Sequence, residues 1–209
     1  MDQTFIQERL LPLNLLDEIV ESDLDEDKAL LDYLIASGRD PNLEFRQASV
    51  LLPLVKNSDN NHWDIILTKR ALHLKHHPGE ISFPGGRFEP QDKNLETTAI
   101  RETEEEIGIV GQQIQTIGRL PRQNTISQYQ VSPFVAIIDP NYQLTINENE
   151  VAEAFLVPLS YVLNSSNHQK VNRNINNQSV SYYLIQYNDY NIWGATARML
   201  VNFSQMLKQ

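Results

Sequence analysis

Between Phe83 and Ile109 the chain reads FPGGRFEPQDKNLETTAIRETEEEIGI, a glycine pair followed by a stretch carrying Glu102, Glu105 and Glu106 at helical spacing. Paired glycines let the backbone adopt conformations closed to other residues and approach a ligand closely. On an α-helix, residues three and four apart share a face. Glu102, Glu105 and Glu106 therefore point together, while Ile100, Thr103 and Ile107 face whatever the helix packs on. Glu104 falls off both faces and is expected in solvent. Three carboxylates on one face with no lysine at i+4 repel one another and weaken the helix unless a cation sits among them. Hard oxygen ligands favour Mg²⁺ or Mn²⁺, with waters and substrate phosphates completing the shell. Taken alone, the helix also reads as an acidic surface element.

Composition narrows the setting. The 209 residues include no cysteine, which excludes disulfides, thiolate zinc sites and cysteine nucleophiles and points to a cytoplasmic protein. A chain of this length buries enough apolar surface to fold without covalent staples. No apolar run approaches the ~18 residues of a membrane span, and the N-terminus, MDQTFIQERLLPLNLLDEI, is acidic where a secretory signal is basic. A net charge of −10 argues against general nucleic-acid binding and against an anionic membrane surface. The expected partner is a small molecule. If it is an anion, metal ions and a local basic cluster must offset the field of the protein.

The apolar pattern predicts an amphipathic helix at Asp27 to Gly38, behind an acidic run from Glu21 to Asp27. Strands are predicted at Arg46 to Val55, Trp63 to Lys69, Glu80 to Phe83, Ile114 to Leu120, Tyr129 to Ile138, Tyr142 to Ile146 and Ser179 to Tyr187, each rich in Val, Ile or Tyr and bounded by Pro, Asn or Asp. Helices are predicted at Leu95 to Ile107, Leu159 to Leu163 and Ala195 to Leu207, and Asn164 to Gln178 reads as a loop or an exposed hairpin. The fold class is α/β (α+β), a mixed β-sheet sandwiched between helices. Residues 1–40 form an N-terminal helical extension that caps the sheet or mediates a homodimer, and residues 41–209 form the main domain.

Gly86, Arg101, Glu102, Glu105, Glu106, Gly108 and Ile109 resemble the Nudix box, in which a glycine, a lone glutamate and an Arg-Glu-x-x-Glu-Glu helix end in a glycine stop. Three departures stand out. One extra residue lies between the glycine and the arginine, Asp92 stands for the lone glutamate, and Thr103 replaces an apolar residue. The preceding Leu67-Thr68-Lys69-Arg70, Lys75, Gly79 and Phe83-Pro84-Gly85-Gly86 resemble the signature of coenzyme A pyrophosphatases within that superfamily. Ala71 takes the place of its serine and Lys75 that of its second arginine, keeping the charge but losing the planar fork. The longer box is itself typical of that subfamily. The likeness extends over roughly residues 44 to 209.

The resemblance implies a Nudix fold and hydrolysis of the diphosphate of coenzyme A to 4′-phosphopantetheine and adenosine 3′,5′-bisphosphate. It implies Mg²⁺ or Mn²⁺ held by Glu102 and Glu106, with Glu105 serving a second ion and the Gly85 carbonyl as a backbone ligand. Glu150 is expected to act as the base or as a further ligand, with Glu153 as the alternative, and Arg101 to orient the carboxylates by ion pairing. Arg70, Lys75, His76, His77 and Arg87 form the densest basic cluster and flank the glycine pair, so phosphate recognition falls to Arg70, Lys75 and Arg87 with close approach at Gly86. A transition-metal site at His73, His76 and His77 is disfavoured because no fourth ligand follows at motif spacing. Tyr129, Phe134 and Trp193 would stack on adenine or, more commonly for such residues, belong to the core. Other substrates remain open: nucleoside diphosphate sugars, dinucleotide cofactors or a coenzyme A cap on RNA. So does a non-catalytic binding module.

Overall fold

The computed structural model describes residues 1–13, 44–57, 62–175 and 178–208. Helix α1 (Gln3–Gln7) is followed by strands β1 (Arg46–Lys56), β2 (Trp63–Arg70), β3 (Ile81–Ser82) and β4 (Gly85–Arg87), then helix α2 (Leu95–Ile107). Next come β5 (Ile114–Arg119), β6 (Gln123–Asn124), β7 (Tyr129–Ile138), β8 (Val151–Pro158) and the short helix α3 (Leu159–Leu163). Strands β9 (Gln169–Ile175), β10 (Gln178–Tyr187) and β11 (Tyr190–Trp193) precede helix α4 (Gly194–Met206).

Eight strands form a mixed sheet with the spine β3-β2-β1-β7-β5, to which β4, β6 and β8 add at β1, β7 and β2. The central pair β1 and β7 is parallel, from Arg46 opposite Tyr129 to Leu54 opposite Ile137. Leu51 to Val55 are all buried, as expected for a strand covered on both faces. Alternation sends Leu52, Leu54, Ile65, Leu67 and Val135 to one face, where they pack with Leu200 and Phe203 of α4. Leu51, Val55, Ile66, Phe134 and Ala136 point to the other face and meet Ala99 and Ile107 of α2. The main sheet thus lies between α2 and α4, the expected mixed-sheet architecture. Strands β9 to β11 form a separate antiparallel sheet.

Two expectations change, and one offered as alternatives resolves to the hairpin. Tyr142 to Ile146 is not a strand. Its backbone is spent on the end of α2, with the Thr145 N–H donating to the Ile107 carbonyl at 2.9 Å and that of Asn147 to the Glu106 carbonyl at 2.9 Å. The strand expected at Glu80 to Phe83 contracts to Ile81–Ser82, and the glycine pair belongs to β4, with Gly86 opposite Ser49 of β1. The polar segment after Asn164 resolves into a 3₁₀ turn and the β9–β10 hairpin. The helix expected at Asp27 to Gly38 lies outside the described residues. Among the described residues no helix is long and apolar enough to cross a membrane.

The first residues are part of the main core. Ile6 is fully buried and Leu10 nearly so, within the same cluster as Leu52 and Val135. Trp63 Nε1 donates to the Met1 carbonyl at 3.1 Å, and Leu11 and Arg119 exchange backbone hydrogen bonds of 3.1 and 3.0 Å. Leu11 thereby extends the sheet beyond β5. Truncating a fully buried aliphatic side chain removes its transfer free energy and leaves a cavity. Ile6→Ala is expected to lower the unfolding free energy by about 2–5 kcal/mol, read from urea denaturation. An unchanged midpoint would mean that the N-terminal turn is not part of the folded unit.

Candidate active site

Helix α2 starts where Asn94 caps it, its side-chain oxygen accepting from the Thr97 N–H at 2.8 Å. It stops at Gly108, whose φ of 74° lies in the left-handed region and whose N–H returns to the Glu104 carbonyl. Ala99, Thr103 and Ile107 form its buried stripe, while Ile100 is only half-buried. Thr103 fits an apolar position because its hydroxyl donates back to the Ala99 carbonyl at 2.7 Å. Glu106 joins the buried face at 2 % exposure, and Glu102 follows one turn earlier, half-buried. Glu104 is not merely solvated, since its carboxylate accepts from the Gly111 N–H at 3.3 Å.

Glu102, Glu106 and Glu150 present carboxylate oxygens all within 4.8 Å of one another. Oxygens on opposite sides of one divalent ion stand roughly 4–5 Å apart, given metal–oxygen distances of 2.0–2.6 Å, so the three fit a single coordination shell. Burial, reinforced by the charge of Glu102, pushes the Glu106 carboxyl up to about 8, against the lowering effects of the Gly85 N–H and Arg70. Burial likewise raises Glu102, partly offset by Arg101. A cluster that resists ionisation without a counter-charge is what a cation would relieve.

The supporting frame reaches the carboxylates from three sides. The Gly85 N–H donates to Glu106 Oε2 at 3.3 Å. A Cβ on Gly86 would stand 2.4 Å from the Glu102 carboxylate, so a larger residue there would displace that carboxylate. Glu150 is set by the turn after Ile146. Asn147 receives the Glu150 and Val151 N–H groups on its carbonyl at 2.9 and 2.8 Å, and its amide reaches Glu150 Oε1 at 3.4 Å.

Arg101 and Asp92 hold the helix face in register. Asp92 is 7 % exposed and grips Arg101 through both oxygens, with Nε–Oδ1 at 2.9 Å and Nη2–Oδ2 at 3.0 Å. Asp92 also accepts from the Thr98 hydroxyl at 2.9 Å and the Glu89 N–H at 3.0 Å. The far side of the guanidinium donates to Glu102 at 2.9 Å, to Glu105 at 3.1 Å and to the Arg87 carbonyl at 3.1 Å. These bonds, led by that from Arg101, hold the Asp92 carboxyl well below the usual carboxylate range and raise the guanidinium above its own.

The remaining expected residues separate in space. Glu105 is exposed and lies with Arg101, outside the three-carboxylate group. Glu153 accepts a 2.5 Å hydrogen bond from Tyr190, whose hydroxyl that bond pushes up to about 12. Arg70 ends β2 opposite Val151, close enough to lower Glu106 electrostatically, and its Nε is buried with no partner among the described residues. Lys75, His76 and His77 are exposed, with His77 on Glu80 at 2.9 Å, and His73 reaches the Asn149 carbonyl at 3.0 Å. The three histidines hold no joint site. Arg87 points toward Tyr129, Phe134 is core, and Trp193 is half-exposed against Tyr182.

A carboxyl whose native pKa lies below its unfolded value stabilises the fold above the unfolded value of about 4 and loses that contribution as the pH falls. Asp92→Asn should therefore destabilise the protein at neutral pH and flatten its loss of stability between pH ~4 and ~2 in acid titrations followed by thermal melting. An acid limb unchanged by the substitution would remove Asp92 from this role.

A NUDIX domain model matches residues 45–177, well over half of the chain. The chain is 37% identical over 158 residues to an uncharacterized Nudix hydrolase NudL of Enterobacter sp. (strain 638), covering 76% of this chain and 81% of that protein. It is 36% identical over 163 residues to one from Photorhabdus laumondii subsp. laumondii, covering 78% and 86%. A solved MutT/nudix family protein from Enterococcus faecalis superposes with a TM-score of 0.49 at 15% identity, over 94% of this chain and 76% of that one. With its domain and its relatives both agreeing on the segment that carries the carboxylate helix, the chain belongs to the Nudix hydrolase family and is a pyrophosphohydrolase.

Proposed function

We propose that the protein hydrolyses the diphosphate bond of coenzyme A, giving 4′-phosphopantetheine and adenosine 3′,5′-bisphosphate. The observation that carries this reading is the convergence of Glu102, Glu106 and Glu150 beside Arg70, the arginine of the segment from Leu67 to Gly86. Glu102 and Glu106 would hold Mg²⁺ or Mn²⁺, with the Gly85 carbonyl as a backbone ligand and Glu150 beside the ion as the base. When bound, the ion neutralises the diphosphate and makes a coordinated water more acidic.

The chain's own groups divide the remaining work. Glu150, at the half-exposed edge of the cluster, takes the proton of the attacking water. Glu153 is less suited to that step because Tyr190 already occupies its carboxylate. Arg101 orients Glu102 and Glu105, and Glu105 would hold a second ion. Arg70 offsets charge on the leaving phosphate, Lys75 and Arg87 add phosphate contacts, and the glycine at 86 keeps the strand backbone close to the carboxylate site. Retention of three glutamates on the helix weighs against a binding module without catalysis.

A product-resolved panel with Mg²⁺ or Mn²⁺ should release adenosine 3′,5′-bisphosphate from coenzyme A. Cleavage of ADP-ribose, a nucleotide sugar or a dinucleotide while coenzyme A stays intact would reassign the substrate. Glu106→Gln is expected to lower kcat by orders of magnitude while circular dichroism and melting show a folded protein. Full activity in that variant would disprove the metal assignment.

A further inference from the structure

Arg46 opens β1 and Arg87 closes β4, and neither guanidinium forms an ion pair with a carboxylate among the described residues. The two meet over one ring, Arg46 Cζ lying 4.2 Å and Arg87 Cζ 5.6 Å from the centroid of Tyr129. Strand register brings them together. Arg46 stands opposite Tyr129, and Arg87 stands opposite Ala48, which is itself opposite Val131. Ala48, with nothing beyond its Cβ, leaves the space into which ring and guanidinium groups lean. Arg46 donates one side-chain hydrogen bond, to the Ser127 carbonyl at 3.3 Å. The Tyr129 hydroxyl is buried and has no partner among the described residues.

Two exposed guanidinium groups share one aromatic ring, whose face offsets their charge only in part. The remaining N–H forks, which face solvent, suit a compact acceptor of high negative charge. Planar guanidinium forks match phosphate oxygens in pairs, which a lysine cannot do.

We propose that Arg46, Arg87 and Tyr129 bind a terminal phosphate monoester of the substrate, apart from the carboxylates that serve the diphosphate. Arg87 links the two regions, since its carbonyl accepts from Arg101 while its side chain reaches Tyr129. The inference rests on the coenzyme A reading, in which the ribose 3′-phosphate is the monoester and adjoins the scissile diphosphate through one nucleoside. A substrate lacking that group would leave the arginine pair unused.

Two measurements test this. In turnover, the wild-type protein should prefer coenzyme A to 3′-dephospho-coenzyme A in kcat/KM, and Arg46→Gln should shrink that preference by roughly tenfold, the loss expected for one charge-assisted phosphate contact. A preference left intact by Arg46→Gln and by the Arg46→Gln/Arg87→Gln pair would overturn the proposal. In binding, calorimetry on the metal-free protein should find adenosine 3′,5′-bisphosphate tighter than AMP, with the gap closing in Arg46→Gln. Equal affinities in the wild type would overturn it. Absence of coenzyme A cleavage would refute the proposed activity by itself, while the binding comparison would still decide the phosphate site.

Discussion

Everything at the candidate site depends on keeping like charges together out of water. Glu106 is buried and has Glu102 and Glu150 as neighbours within 4.8 Å, an arrangement that by itself opposes folding. The chain tolerates it because each carboxylate meets a donor or cation that is fixed elsewhere. Glu106 has the Gly85 N–H and the field of Arg70, Glu102 has Arg101, and Glu150 has the Asn147 amide. None of these partners neutralises the group completely. The site is left short of positive charge, which is the state that favours a divalent ion.

The sheet sets where that deficit sits. Parallel pairing of β1 and β7 provides a rigid centre, and β4 is drawn onto β1 so that its two glycines lie against the helix. Helix α2 is then fixed along its length, by Ala99 and Ile107 in the core and by Asp92 through Arg101 at its flank. Asp92 lies outside the helix yet governs which way its charged face points. The Asp92 carboxylate is itself fixed by Thr98 and by the backbone of Glu89.

Much of this was legible in the sequence, for local reasons. Helix α2 declares itself in the spacing of Thr103 and Ile107 and in the stop at Gly108, whereas the burial of Ala99 in preference to Ile100 is set by the sheet it packs on. The long central strands declare themselves by continuous or alternating apolar residues. Tyr142 to Ile146 misleads because its Tyr, Leu and Ile alternate like a strand, while its backbone partners are the helix carbonyls, which no local pattern encodes. The short β6 and β11 are too brief for any periodicity to mark them. Glu150 entered through family likeness rather than spacing, and the basic residues flanking the glycines gave no sign that Arg70 and Arg87 would part. The pairing of Arg87 with Arg46 and Tyr129 arises from three strands distant in sequence, and only their register reveals it.

The Thr145–Asn147 connection has a mechanical meaning. Its backbone is bonded to the last carbonyls of α2, and the same few residues turn directly into Glu150. Helix end and third carboxylate are therefore coupled like two jaws on one pivot. The separation of Glu150 from the final turn of the helix is thus set by a short run of backbone hydrogen bonds. In such a mounting the spacing between the jaws is built into the main chain and does not depend on side-chain rotamers alone.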